Sequence, residues 1–145
     1  MNQQLLAEKV AERLLNTDEF SKWLGIKVLE IKPGYSKVKM KIRHEMLNGF
    51  KICHGGIIFS IADSAFAFAS NSHGRLAVAI ETSIAFPAPV KEGDELTAIA
   101  EEQSIRNSIA VYNIIVSNQA GEKVGIFRGT VFRTKEEFFP KELFT

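Results

Sequence analysis

Cysteine is all but missing from this chain: Cys53 is the only one in 145 residues. A lone thiol excludes an intrachain disulfide and any cysteine-rich metal site, and it suits a reducing compartment. Histidine is scarce too, with three residues. His44 and His73 have no partner at metal-ligand spacing, so no metal is expected. Neither sign of charge predominates. Eighteen Lys and Arg face 17 Asp and Glu for a net charge of +1, which removes any global pull toward nucleic acid. Long apolar runs are absent as well. Near the N-terminus, Leu5, Leu6, Val10 and Leu14 are interrupted by Glu8, Lys9, Glu12 and Arg13, so no signal-peptide core forms. The richest apolar stretch, from Gly55 to Ala69, is too short, and too broken by Ser60, Asp63 and Ser64, to span a membrane. The simplest expected location is the cytoplasm. No repeat or linker divides the chain, which reads as one domain over 1–145 with a helical extension at 1–20.

The elements can be placed from pattern. Residues 3–15 read as an amphipathic helix, and Thr17-Asp18-Glu19-Phe20 as the cap of a short helical turn reaching Trp23. A strand begins at Gly25 and carries Ile26, Val28 and Ile31 to the turn Lys32-Pro33-Gly34. Then Val38, Met40 and Ile42 alternate with Lys37, Lys39, Lys41 and Arg43, a strand with a solvated basic face. After a loop over 45–54 comes the apolar helix to about Asn71, stopped by Ser72-His73-Gly74. Four strands follow, at 76–86, 95–103, 109–118 and 123–133, the last three close enough to form an antiparallel meander. The fold class is therefore α+β: one long helix against an antiparallel sheet of about six strands. A helix apolar on nearly every side needs more cover than one sheet face provides, and a partner subunit is the expected source. Phe138, Phe139 and Phe144 in the tail are expected to dock on the body.

One ionisable residue, Asp63, interrupts the apolar helix, where a buried carboxylate costs several kcal/mol unless something compensates it. The same helix opens on Gly55-Gly56, whose bare N–H groups and dipole suit a polarised carbonyl. Asp63 lies within about 20° of the Gly56 face but about 10 Å farther along the axis. Near-attack contacts are about 3–3.5 Å, so Asp63 cannot serve its own helix end. Two antiparallel copies about a twofold axis would bring each Asp63 to the other's Gly55. The plainer readings are a carboxylate that pins a dimer, glycines that allow a tight turn, and a structural His54. Asn48-Gly49 is likewise a turn dipeptide.

The spacing Asn48 … His54-Gly55-Gly56 … Asp63 resembles the signature of hotdog-fold acyl-CoA thioesterases. Met46-Leu47-Asn48-Gly49, Cys53-His54-Gly55-Gly56, Asp63-Ser64-Ala65-Phe66-Ala67 and Phe127-Arg128-Gly129 are similar to the phenylacetate-pathway branch of that family. The resemblance covers nearly the whole chain after about residue 20. It implies a hotdog fold, in which the sheet wraps the long helix, and hydrolysis of phenylacetyl-CoA or hydroxyphenylacetyl-CoA. It also implies self-association as a dimer or tetramer with shared sites. Coenzyme A would be part of substrate and product, with no separate cofactor. The Gly55 N–H would polarise the thioester carbonyl. Asp63 of the opposite subunit would be general base or nucleophile. Asn48 would orient the leaving sulfur, the water or Asp63, and His54 would shape the loop or add a hydrogen bond. Gly56, Ser83 and Phe86 would contact substrate. Phe59, Phe66 and Phe68 are candidates for an aryl pocket, but aromatic residues at helical spacing are more often simple core. Relatives carry Phe-Leu-Arg-Pro where this chain has Phe86-Pro87-Ala88-Pro89, so the arginine is missing. Lys91, Arg106 and Arg133 are the basic candidates for the CoA phosphates, each with a bland reading as a surface charge. Cys53 reads as a bystander beside His54. Three rivals remain: a medium- or long-chain acyl-CoA thioesterase, a non-catalytic acyl-CoA-binding protein, and a structural oligomer. Hydratases and dehydratases of this fold carry a His-Phe-Pro-Gly type run or an Asp and a His on one hydratase loop, and the sequence has neither.

Overall fold

Helix α1 (Gln3–Thr17) begins where the Asn2 side chain accepts the Leu5 N–H at 2.9 Å. It stops at Asp18, which turns the chain and caps α2 (Glu19–Leu24) by accepting the Ser21 N–H at 3.0 Å. Gly25 closes α2 in the left-handed region, at φ 79°, where a side chain would be strained. These features come from a computed structural model that describes residues 2–144, apart from the side chains of residues 141 and 144. The expected docking of Phe144 therefore lies outside the described residues.

Six strands follow the two helices: β1 (Lys27–Lys32), β2 (Tyr35–Lys41), β3 (Arg75–Ala85), β4 (Glu95–Ile105), β5 (Ile109–Ser117) and β6 (Lys123–Glu137). They form one sheet in the order β1-β2-β4-β5-β6-β3, antiparallel at every pairing. The β4–β6 meander is as expected. The strands depart from expectation at their ends, where β1 starts at Lys27 and β6 continues to Glu137. Ladder hydrogen bonds to β3, not side-chain pattern, carry β6 past Arg133, as in the Arg75–Glu137 pairing. Between β2 and β3 runs α3 (Gly55–Asn71), which lies across the sheet.

The core lies between α3 and the sheet. Ile58, Ile61, Ala62, Ala65 and Phe68 on α3 are buried, as are Val38, Met40, Leu96, Ile114 and Phe127 on the strands. Small residues let helix and sheet approach closely. Gly129 on β6 is the tightest point, where an added Cβ would sit 2.5 Å from the Phe66 ring. That ring is 2% exposed and packs against Tyr112 and Phe127, with centroids 5.8 and 5.6 Å away. Burial of a side chain this size stabilises by about 1.5–3 kcal/mol.

Part of the extra cover of α3, for which a partner subunit is the expected source, is supplied within the chain. Ala7, Val10 and Ala11 of α1 are buried, α1 touches α3, and Ser21 of α2 meets Ser64 of α3 at 2.8 Å between hydroxyls. Amphipathic α1 buries its small face here because alanine permits a close helix crossing. The tail folds back onto α1. Arg13 donates to the Phe138 carbonyl at 2.6 Å and lies over the Phe138 and Phe139 rings. Among the described residues no helix is long and apolar enough to cross a membrane.

Candidate active site

The segment before α3 is fastened on both sides. A 3-10 turn at His44–Met46 buries Met46, and the Asn48 side-chain oxygen accepts the Phe50 N–H at 2.8 Å and the Ile52 N–H at 3.4 Å. Cys53 N–H donates to the Val90 carbonyl at 2.7 Å, and His54 N–H to the Met46 carbonyl at 2.9 Å. His54 thereby arrives in extended backbone as the cap of α3. Its Nδ1 accepts the Gly56 N–H at 3.3 Å, and its carbonyl accepts the Ile57 N–H at 2.9 Å. An Nδ1 that accepts leaves the proton on Nε2, which is free to donate outward. Among the described residues no group accepts the Gly55 N–H. Beside it lies the Phe86 ring, 3.3 Å from where a Gly55 Cβ would stand. Glycine is thus what lets the ring come close to the positive end of the helix dipole.

Asp63 is exposed in the single chain, which corrects the expectation of a buried carboxylate. The reason is helical phase. Gly56, Ser60, Asp63 and Ala67 form one stripe on the side of α3 turned away from the sheet, and all four are exposed or half-buried. The stripe is polar at its N-terminal end, where Ser60 Oγ donates to the Gly56 carbonyl at 2.7 Å. Asp63 reaches solvent, yet its surroundings are crowded. Partial burial holds its pKa above the usual carboxylate range, and the negative charge of Asp18 pushes it further the same way. Asp18 is fixed by its cap on α2 and by a 2.5 Å hydrogen bond from Ser21 Oγ. Ser21 in turn contacts Ser64, the residue after Asp63.

The other expected contacts disperse. Ser83 pairs with Arg128 on β6, next to Gly129, whose bare face looks at Phe66. Strand alternation then points Ser83 to the sheet face opposite α3, so it does not line the groove along its own α3. Lys91 lies in the loop that joins the α3 entry, while Arg106 and Arg133 meet at the β4–β5 turn, Arg133 Nη1 donating to the Arg106 carbonyl at 2.8 Å. The length of β4 separates these two groups by roughly 35 Å at full strand rise. Phe66 and Phe68 are core residues, each 2% exposed, and Phe59 packs on Phe127 at 5.3 Å between centroids. Phe66 and Phe68 are thereby closed off from solvent, and Phe59 is half-buried. Among the described residues no cluster of three His, Cys, Asp or Glu side chains could hold a metal ion. Burial raises the Cys53 thiol pKa to about 11, with Asp94 adding to the effect, so the thiol is a poor nucleophile.

Sequence reasoning missed Phe20. Its ring helps line a cavity of about 320 Å³ along the α3 stripe, together with Glu45, Met46, Leu47, His54, Gly56, Ile57 and Ser60. The available signal was a pair of large apolar residues, Phe20 and Trp23, on a six-residue helix too short to bury both. A larger hollow of about 470 Å³ between α1 and β1 carries Glu8, Glu12 and Glu30, a rim that would repel an anionic thioester.

An antiparallel sheet wrapped round a glycine-opened helix, with a free N–H at its start and a carboxylate on its open face, defines a hotdog thioesterase. The thioesterase superfamily matches residues 50–125, and this chain belongs to it: a thioester hydrolase. A putative esterase of Archaeoglobus fulgidus is 44% identical over 135 residues, 93% of this chain and 88% of that protein. The acyl-coenzyme A thioesterase PaaI of Escherichia coli is 41% identical over 123 residues, 85% of this chain and 88% of that protein. The solved structure of the E. coli PaaI protein from the phenylacetic acid degradation operon superposes with a TM-score of 0.91. It is 38% identical in that superposition, which covers 92% of this chain and 97% of PaaI. The smu.793 protein of Streptococcus mutans, solved bound to acetyl CoA, matches with a TM-score of 0.75 at 26% identity, over 77% of this chain and 90% of that one.

Proposed function

We propose that the chain hydrolyses acyl-CoA thioesters, aryl-acetyl-CoA esters such as phenylacetyl-CoA foremost, at sites shared between two copies. The observation that carries this reading is the α3 stripe, on which Asp63 faces out of its own chain beyond reach of its own Gly55. The Gly55 N–H holds the thioester oxygen and takes up its growing charge. Asp63 of a second copy then either removes a proton from water as it attacks the carbonyl carbon or attacks directly to give a mixed anhydride. In either course the C–S bond breaks, the sulfur leaves as CoA thiol, and water ends in the free acid. The raised pKa of Asp63 makes it a stronger base once ionised.

In this reading Asn48 holds the loop with its oxygen and offers its amide to the site, and the His54 Nε2–H is a second donor. Gly56 and Phe86 border the thioester, and Ser83 is reached only from a neighbouring copy. An antiparallel second copy would bring the Lys91 end of one chain toward the Arg106 and Arg133 end of the other, which would gather both basic groups for the CoA phosphates. Strand β3 supports such pairing, because it is an edge strand with Val78 and Ile80 exposed. The assembly is then a homodimer, or a tetramer built from it, and residues 1–145 act as one hotdog domain. No cofactor beyond the CoA in the substrate is required, and the lone unpaired Cys53 suits the cytoplasm.

The test follows free thiol released from phenylacetyl-CoA by wild type and by Asp63→Asn. Turnover by wild type and its loss in an assembled variant support the reading. Binding of phenylacetyl-CoA without turnover by wild type defeats it in favour of an acyl-CoA-binding protein. Mixed Asp63→Asn and Gly55→Val chains should regain about a quarter of wild-type activity through heterodimers, each with one intact site. No recovery counts against the shared geometry.

A further inference from the structure

We propose that Phe20, on α2, is a specificity-determining residue whose ring forms one wall of the acyl pocket and favours flat aryl groups. This rests on the thioesterase reading above and adds to it a residue outside the family signature.

The first support is position. Phe20 shares one cavity with His54, Gly56 and Ser60, that is, with the cap and first turns of the helix whose end holds the thioester oxygen. The rest of that lining is Met46, Leu47 and Ile57, together with Glu45, whose charge is paired by Arg43 at 3.3 Å. An acyl group whose carbonyl sits at Gly55 has this hollow within reach, and its volume of about 320 Å³ is enough for a phenyl ring.

The second support is rigidity. An exposed aromatic at a helix surface is ordinarily free to swing, but this one is held. Phe20 stacks on Trp23 with centroids 6.0 Å apart and planes 11° from parallel. Trp23 is backed by the Arg43 guanidinium, 4.9 Å from its ring centroid, and Arg43 also donates to the Trp23 and Leu24 carbonyls. The buried Ser21–Ser64 contact pins the middle of α2 to α3, and Leu24 anchors its end in the core. Even so, Phe20 is 52% exposed and Trp23 48%. The chain has therefore built a fixed, flat, solvent-facing hydrocarbon surface against the catalytic helix, and a surface of that kind recognises a planar apolar group by offset stacking.

Two measurements test this. In the first, kcat/KM for phenylacetyl-CoA and acetyl-CoA is compared in wild type, Phe20→Ala and Phe20→Leu. Phe20→Ala should lower the phenylacetyl value about tenfold and change the acetyl value less than twofold. Phe20→Leu, which keeps bulk but not a flat face, should fall between. Equal losses on both substrates, or none on either, overturn the proposal while leaving the thioesterase reading in place. The second measurement needs no turnover. Trp23 is the only tryptophan, so its emission reports on the stack. A non-hydrolysable phenylethyl thioether of CoA should alter it, and the ethyl thioether should not. The same response to both analogues, or none to the phenylethyl one, overturns the proposal. An aryl-selective response from a protein that turns over no thioester sustains it and defeats the hydrolase reading alone.

Discussion

The two ends of α3 are built for opposite purposes. At its C-terminal end every polar side chain is paired and the surroundings are closed. Asn71 donates to the Ala67 carbonyl at 2.9 Å and accepts the Ala77 N–H at 2.8 Å. Ser72 Oγ donates to the Ala69 carbonyl and accepts the Gly34 N–H. Beyond it, Glu102 holds both the His73 ring and the Tyr112 hydroxyl at 2.7 Å. At the N-terminal end the first N–H is unclaimed, the face is open, and an aromatic ring stands over the glycine. Buried polar groups are normally satisfied, so one helix end answers the demands of folding. The other leaves its first N–H unpaired, and there the proposed function places the thioester. Substitutions at the first should cost stability, and substitutions at the second should cost activity.

The largest expected effect is at the open end. Asp63→Asn should lower kcat by about 10²–10⁴-fold, as expected for loss of a positioned base or nucleophile, and should leave the melting temperature no lower. The second half follows from linkage. A carboxyl whose pKa is raised by folding binds more protons in the native state, so its contribution to stability is full at low pH. That contribution is lost as pH rises from the unfolded toward the folded pKa. On the balance of burial and Asp18 within one chain, removing the charge should not destabilise at neutral pH. A melting temperature that drops sharply would place Asp63 on the structural side of the comparison.

Gly129→Ala should act in the opposite sense. Its Cβ would meet the fully packed Phe66 ring at 2.5 Å, and overpacking of this sort costs about 1–3 kcal/mol. Denaturant midpoints should fall by the matching amount, with activity per folded molecule kept. Asn71→Ala should cost a similar amount, about 2 kcal/mol, for stranding the buried Ala77 N–H. A variant at either position that kept stability but lost turnover would break the division between the two ends.

Much of this was legible in the sequence, and what was not has a physical cause. Period two on β2 and the apolar run of α3 fixed the elements, because both periodicities come from burial on one face. The Asn48-His54-Gly55-Gly56-Asp63 spacing is the signal on which the proposed site rests. Exposure of Asp63 was misjudged because composition shows how apolar a helix is but not which side the sheet leaves bare. Asp63, Gly56 and Ser60 share that side only once the helix is docked. Helical spacing leaves Phe66 and Phe68 open to a pocket or a core reading, and the core reading holds, Phe66 because Gly129, far away in the chain, makes room for its ring. Phe20 escaped notice because α1 and α2 read as an extension, and nothing local shows that Ser21 meets Ser64 across 43 positions.

The smallest expected effect probes that same α2–α3 seam. Asp18 is the charge that adds to burial in raising the pKa of Asp63. Asp18→Asn keeps an N-cap of comparable strength, so α2 should stay folded and in place. With the repulsion gone, the pKa of Asp63 should move down toward the ordinary carboxylate value. Turnover that needs ionised Asp63 rises as pH passes through that pKa, so the acid limb of the kcat/KM profile should shift to lower pH, with the plateau nearly unchanged. A profile left where it was would mean that water screens Asp18 from the site. A fall of the plateau without a shift would mean that the hydrogen bonds of Asp18 to Ser21, and not its charge, are what the open end of α3 depends on.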